Sequence, residues 1–148
     1  MIIAVGSDHG GFSLKQEIVS FLKSIGIEVK DEGTFNEESV DYPDFANKVA
    51  KSVSKNEADK GILVCGTGIG MSISANKVKG IRAALVTSDY NAEMSAKHNN
   101  ANIITLGGRT TTIDLAKRYI KIWLETDFEG GRHIGRLSKI EQIENSKE

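Results

Sequence analysis

Residues 61 to 77 read G-I-L-V-C-G-T-G-I-G-M-S-I-S-A-N-K, and this stretch decides the fold. Ile62-Leu63-Val64 is a short apolar run of the kind that forms a buried strand. Cys65 ends the run and is the only cysteine of the chain. Gly66, Gly68 and Gly70 follow at alternate positions and free the backbone to turn sharply. Met71 to Lys77 then reads as a helix. Amides at a helix start lack partners inside the helix, and the helix dipole favours negative charge there, so strand, turn and helix together make an anion cradle. A thiol at its mouth has its thiolate form favoured.

The flanks repeat the same unit. Upstream, Ile2–Val5 reads as a strand and residues 7–11 (S-D-H-G-G) as a turn. Leu14, Ile18, Phe21, Leu22 and Ile25 recur at helical spacing, and Gly26 is placed to stop that helix. Ile27–Val29 is a brief strand, and residues 31–42 are polar and read as loop. Pro43 suits the first turn of a helix whose apolar face is Ala46, Val49, Ala50 and Val53. Downstream, Ala83–Val86 is a strand, and Ser88-Asp89 caps a helix running to about Lys97. Ile103–Leu106 is the fifth strand. Thr112 caps a helix striped by Ala116, Tyr119, Ile120 and Trp123. After Gly130-Gly131, a last amphipathic helix carries Ile134, Leu137 and Ile140 and frays over residues 144–148. Strands alternating with helices predict a parallel sheet covered on both faces, with ligands beyond the carboxyl ends of the strands.

Global numbers bound the function. A chain of 148 residues makes one domain, residues 1–148, with a real core. Nineteen basic against 20 acidic residues leave a net charge of −1, and this balance gives no support for nucleic acid or a membrane surface as partner. No apolar run approaches membrane-spanning length, and residues 1–6 are too short for a signal peptide. A lone cysteine makes no internal disulfide, so a reducing cytoplasm is the expected compartment. The glycine turn fits neither familiar nucleotide motif: Met71 stands where a Rossmann fingerprint counted from Gly66 needs its third glycine, and no lysine follows Gly70 as a Walker loop requires.

Side chains at the strand ends supply the chemistry. Cys65 is either a base or nucleophile, or a small buried hydrophobe. Thr67 either relays a proton or caps the helix. His98, after the fourth helix, is either a dipole-stabilised terminal residue or a general acid. Neither His9, His98 nor His133 pairs with another histidine at helical spacing, so no metal site is expected. Arg132 and Arg136, one turn apart, read as a phosphate clamp or as a solvated basic face, with Arg109 as a third phosphate ligand or a surface residue. The set suits a small phosphorylated molecule and proton abstraction beside a carbonyl, with no metal and no organic cofactor.

Together, residues 7–11 (S-D-H-G-G), 41–44 (D-Y-P-D), 65–70 (C-G-T-G-I-G), 75–77 (A-N-K), 98–102 (H-N-N-A-N) and 130–133 (G-G-R-H) resemble the ribose-5-phosphate isomerase type B family, which also holds allose-6-phosphate and galactose-6-phosphate isomerases. The resemblance spans essentially the whole chain in consistent order. It implies a Rossmann-like three-layer α/β/α sandwich with a five-stranded parallel sheet and a C-terminal helix extension. It also implies a homodimer or homotetramer with active sites at the subunit boundary, interconverting ribose 5-phosphate and ribulose 5-phosphate in the pentose phosphate pathway. Under it, Cys65 is the proton acceptor, His98 the ring-opening acid and Thr67 the hydroxyl moving protons between O1 and O2. Residues Gly66, Thr67, Gly68, Ile69 and Gly70 form the enediolate-binding hole. Asp8, His9 and Asn99 contact the sugar, Arg109, Arg132 and Arg136 the phosphate, and Tyr42 and His133 wall the pocket. Some members have glycine in place of the cysteine and glutamate where this chain has Met71; this chain belongs with the cysteine branch. The competing readings are a six-carbon substrate, a non-catalytic sugar-phosphate sensor and a thiol redox protein.

Overall fold

A computed structural model describes residues 1–146. Its elements are β1 (Ile2–Ser7), α1 (Phe12–Ser24), β2 (Glu28–Gly33), α2 (Tyr42–Ser54), β3 (Lys60–Cys65), α3 (Ile69–Ala75), β4 (Ala83–Leu85), α4 (Asp89–Lys97), β5 (Ile103–Gly107), α5 (Ile113–Glu125) and α6 (Arg132–Glu144). The five strands form one sheet in the order β2-β1-β3-β5-β4, and every pairing is parallel.

Strand side chains alternate between the two faces, and the core divides accordingly. Ile3, Val5, Ile62, Val64, Ile104 and Leu106 pack with residues of α1, α4 and α5. Ala4, Leu63, Cys65 and Ile103 pack with α2 and α3 through Ala46, Val49, Ala50, Met71 and Ala75. The central strands β1, β3 and β5 are therefore almost continuously apolar, with Ser7, Lys60 and Thr105 as the polar exceptions, as a doubly covered parallel sheet requires. Cys65 lies on the α2/α3 side.

Several boundaries differ from the sequence reading. β2 runs on to Gly33, through residues expected to be loop. It is an edge strand whose polar side chains pair outside the core: Lys15 donates to both carboxylate oxygens of Asp31 at 2.7 and 2.8 Å, and Lys30 lies 3.2 Å from Glu32. Such a strand carries no hydrophobic pattern to read. α3 starts at Ile69, not Met71, and ends at Ala75, because Gly68 at φ +80° forms the N-cap. Thr67 is thus not the cap. The predicted caps Ser88 and Thr112 accept the Asn91 and Leu115 amides at 3.1 and 3.3 Å. In α6 only His133 is buried; Ile134, Ile140 and Ile143 are exposed. The expected fray at Lys147 and Glu148 lies outside the described residues. No helix among the described residues is long and apolar enough to cross a membrane.

Candidate active site

At the carboxyl edge of the sheet, β1, β3 and β5 end side by side in glycine-rich turns. Asp8 is buried there; its main-chain amide donates to the Val64 carbonyl at 3.2 Å and its carboxylate accepts the Gly11 amide at 3.1 Å. His9 Nδ1 accepts the Val40 amide at 3.2 Å, which leaves its Nε2 as the donor nitrogen of a neutral ring. Cys65 is 5% exposed, and the Gly68 amide donates to its Sγ at 3.2 Å. Gly68 is fixed in turn by Thr105, a fully buried residue of β5 whose hydroxyl donates to the Gly68 carbonyl at 2.8 Å. The chain of bonds Thr105–Gly68–Cys65 therefore aims the sulfur from a neighbouring strand. Thr67 is exposed, and its Oγ1 accepts the Ile69 amide at 3.3 Å. The Thr67 and Gly70 amides have no acceptor among the described residues, so two donors of the expected anion hole stand open.

Glycine is required here for close packing. A Cβ on Gly68 would lie 2.7 Å from the Leu85 side chain and 2.9 Å from the Leu106 carbonyl carbon. A Cβ on Gly70 would strike the Tyr42 ring at 2.5 Å, which places Tyr42 over the first turn of α3. The Arg109 guanidinium lies across Gly10 and Gly66: Cβ atoms on these two would meet its nitrogens at 3.4 and 3.1 Å. The Arg109 amide donates to the Gly66 carbonyl at 3.0 Å, tying the β5 turn to the β3 turn. Asp8, His9, Cys65, Thr67 and Arg109 thus share one edge, as the sequence reading requires.

The other predicted groups do not. His98 caps the carboxyl end of α4, which runs back from β4 to the amino edge of the sheet. Four residues on, the Asn102 carbonyl accepts the Gly61 amide at 2.9 Å, whereas Cys65 pairs with Gly107 at the far end. Four residues of β3 separate these levels, about 13 Å along the strand. His98, Asn99, Arg132, His133 and Arg136, none of which the sequence reading placed at a strand end, therefore lie toward the opposite edge. The physical reason is that a helix returns the chain antiparallel to its strands.

At the amino edge the imidazoles of His98 and His133 stack, with centroids 4.3 Å apart and planes 18° from parallel. His133 is 3% exposed, and burial chiefly, with the neighbouring His98 and Arg132 charges, pushes its pKa down from the usual 6.5. Arg132 and Arg136 lie exposed one turn apart at the start of α6 and make no ion pair among the described residues. Asn99 is exposed, and its carbonyl accepts from Arg82 Nε at 3.1 Å. Sequence reasoning missed two residues. Thr105 was legible as a hydroxyl in an otherwise apolar strand, and Glu129 as a carboxylate four residues before His133. Glu129, His98 and His133 bring ligand atoms within 4.8 Å of one another.

The family model described as Ribose/Galactose Isomerase matches residues 3–140. Ribose-5-phosphate isomerase B of Escherichia coli (strain K12) is 47% identical over 145 residues, covering 98% of this chain and 97% of the relative. The solved ribose-5-phosphate isomerase B of Clostridium thermocellum is 56% identical, with a TM-score of 0.96 and 97% of each chain covered. The Mycoplasma genitalium enzyme, solved with bound ribulose-5-phosphate, is 42% identical, with a TM-score of 0.94 over 99% of this chain and 97% of that one.

Proposed function

The chain belongs to the ribose/galactose isomerase family, and we propose that it is an aldose–ketose isomerase interconverting D-ribose 5-phosphate and D-ribulose 5-phosphate through a cis-enediolate in the cytoplasm. The observation that carries this reading is the thiol of Cys65, held by an amide hydrogen bond at 3.2 Å in a glycine turn with open amide donors.

Ring opening comes first. His98 gives a proton to the ring oxygen as its bond to C1 breaks, the C1 hydroxyl proton passes to solvent water as the carbonyl forms, and the imidazole is reprotonated from solvent. The Cys65 thiolate then removes the proton on C2. The electron pair forms the C1–C2 double bond, and the carbonyl pair moves to O1, where the Thr67 and Gly70 amides receive the charge. Thr67 relays the proton from O2 to O1. As the C2 carbonyl forms, Cys65 returns its proton to C1 and the thiolate is regenerated. Asp8, His9 and Asn99 hold the sugar hydroxyls, and Tyr42 and His133 wall the pocket. Arg109, Arg132 and Arg136 bind the phosphate through charge-assisted hydrogen bonds.

Acid and base lie at opposite edges of one chain, so a working site takes Cys65, Thr67 and Arg109 from one copy and His98, Arg132 and Arg136 from another. The exposed apolar side chains Ile69 and Ile73 of α3, and Ile134, Ile140 and Ile143 of α6, support a homo-oligomer. Complementation tests both claims. Cys65→Ala and His98→Asn chains are each expected to be inactive in converting ribose 5-phosphate. After subunit exchange, half the dimers of an equal mixture pair the two kinds and carry one intact site, so about a quarter of wild-type activity returns. Activity absent from the wild type would overturn the reaction. Wild-type activity with no recovery on mixing would overturn the shared site alone. The same assay with allose 6-phosphate fixes the substrate length.

A further inference from the structure

We propose that Thr105 is a positioning residue, whose hydroxyl sets both the proposed base Cys65 and the proposed relay Thr67 through one residue of the turn, Gly68. The inference deepens the proposed function and rests on it. Thr105 lies in β5, in register with Leu63 of β3 and Leu85 of β4, and is fully buried. A hydroxyl is costly to bury unless it is bonded, and valine fills the same shape without that cost. Thr105 spends its proton outside its own strand: Oγ1 donates to the Gly68 carbonyl at 2.8 Å.

Two paths lead from Gly68 to the reacting groups. Its amide donates to Cys65 Sγ at 3.2 Å. Its carbonyl shares a peptide group with the Ile69 amide, which donates to Thr67 Oγ1 at 3.3 Å. A peptide group is planar, so holding its oxygen fixes the direction of its N–H. The Ile69 amide takes a lone pair of Thr67 Oγ1 and leaves the hydroxyl proton free to move, as a relay needs. The same bond holds Gly68 at φ +80°, the conformation that aims its amide at the sulfur. Other bonds hold the rest of the turn. The Gly108 and Arg109 amides donate to the Cys65 and Gly66 carbonyls at 2.7 and 3.0 Å. Ser72 Oγ and Asn76 Nδ2 tie the body of α3 to the Ala83 carbonyl at 3.3 and 2.9 Å. Between these anchors the Gly68 carbonyl also accepts the Ser72 amide at 3.1 Å, but that amide belongs to α3 and moves with it. The Thr105 hydroxyl is therefore the tie that fixes the start of α3 to the sheet.

The test compares Thr105→Val, Thr105→Ala and Thr105→Ser in the full-length protein. Three quantities are read: steady-state kinetics, the isotope effect on kcat with ribose 5-phosphate deuterated at C2, and hydrogen exchange of the Gly68 amide by NMR. Thr105→Val and Thr105→Ala are expected to lower kcat about ten- to hundredfold with KM kept, since a displacement of an ångström costs about that much. The isotope effect is expected to rise, because proton abstraction becomes the slow step. The Gly68 amide is expected to exchange about fivefold faster or more. Thr105→Ser keeps the hydroxyl and is expected to restore all three. Thr105→Ala covers the case in which Thr105→Val, whose added methyl abuts the Gly68 carbonyl, fails to fold. Unchanged Gly68 exchange in the variants without a hydroxyl overturns the proposal. So does a fall in kcat that serine does not rescue, or one accompanied by an unmoved isotope effect, since either marks a packing role only. An active wild type beside equally active Thr105→Val and Thr105→Ala defeats the positioning role alone. A wild type that isomerises nothing defeats the proposed function, and Gly68 exchange still decides the coupling to Thr105.

Discussion

The two edges of the sheet are built by different means. At the carboxyl edge, short turns are locked to one another: Thr105 holds Gly68, Gly68 holds Cys65, and the Arg109 amide holds Gly66. Gly11, Gly68, Gly107 and Gly108 there lie so close to neighbouring backbone that a Cβ has no place. At the amino edge, α6 buries a single side chain, His133 on His98, its Glu144 accepts the Gly80 amide at 2.9 Å, and Gly131 before it borders open space. The contrast places the proposed base, Cys65, on a turn that is locked in place, and two of the three proposed phosphate arms, Arg132 and Arg136, on a helix that the chain itself holds lightly. Reaction geometry is sensitive to displacements of an ångström, whereas long guanidinium arms reach across small changes.

The largest expected effect breaks the rigid edge chemically. Cys65→Ala is expected to lower turnover about 10²–10⁴-fold with substrate binding largely kept, since the base acts only in the transition state. Equal losses in binding and turnover, measured by steady-state kinetics and calorimetry, would remove Cys65 from that role.

Next comes a direct comparison of glycines. Gly68 and Gly130 both have positive φ, +80° and +70°, but only Gly68 is crowded by backbone. Gly68→Ala is expected to cost about 2–5 kcal/mol by denaturant unfolding, and Gly130→Ala only the left-handed backbone penalty of about 1–2 kcal/mol. Equal costs would show that packing does not distinguish the edges.

A smaller effect is expected on the light edge. Arg136→Ala is expected to weaken binding of phosphorylated sugar by about 1.5–3 kcal/mol, read as a raised KM, with the unfolding midpoint unchanged because the side chain is exposed. An unchanged KM would exclude Arg136 from the phosphate site.

The smallest is electrostatic. Lys60 opens β3 with its Nζ 5.0 Å from the Trp123 ring centre, and burial chiefly, then the Arg82 charge, holds its pKa below 10.5, against the pull of Asp59. Its folded-state value lies below its unfolded one, so between the two the unfolded chain binds more protons and stability rises with pH. The cost of the charge is fully present below the folded value. Lys60→Met is therefore expected to be slightly more stable than wild type near neutrality, the difference shrinking as pH rises toward 10.5. A pH-independent difference would contradict this account.

The α/β class, all five strands, the caps at Ser88 and Thr112 and the stop at Gly26 are legible in the sequence, because each depends on neighbours within a turn or two of the chain. The polar extension of β2 is not, since its ion pairs come from Lys15 and Glu57, distant in sequence. Cys65 and its glycine turn are likewise legible: strand end, thiol and turn are contiguous. Thr105 as the residue that positions the turn is not, because 37 positions separate it from Gly68.

By itself, then, the sequence determined the local alphabet of this protein: which segments are strands and helices, and which residue types can hold phosphate or move a proton. Only the tertiary structure decided where those residues stand. It set the strand order β2-β1-β3-β5-β4, sent His98 to the edge opposite Cys65 and brought Glu129 and His133 to it. The physical reason is range. Periodicity and capping are fixed by interactions a few residues long, whereas strand order and the edge a side chain reaches follow from burying both faces of one sheet at once.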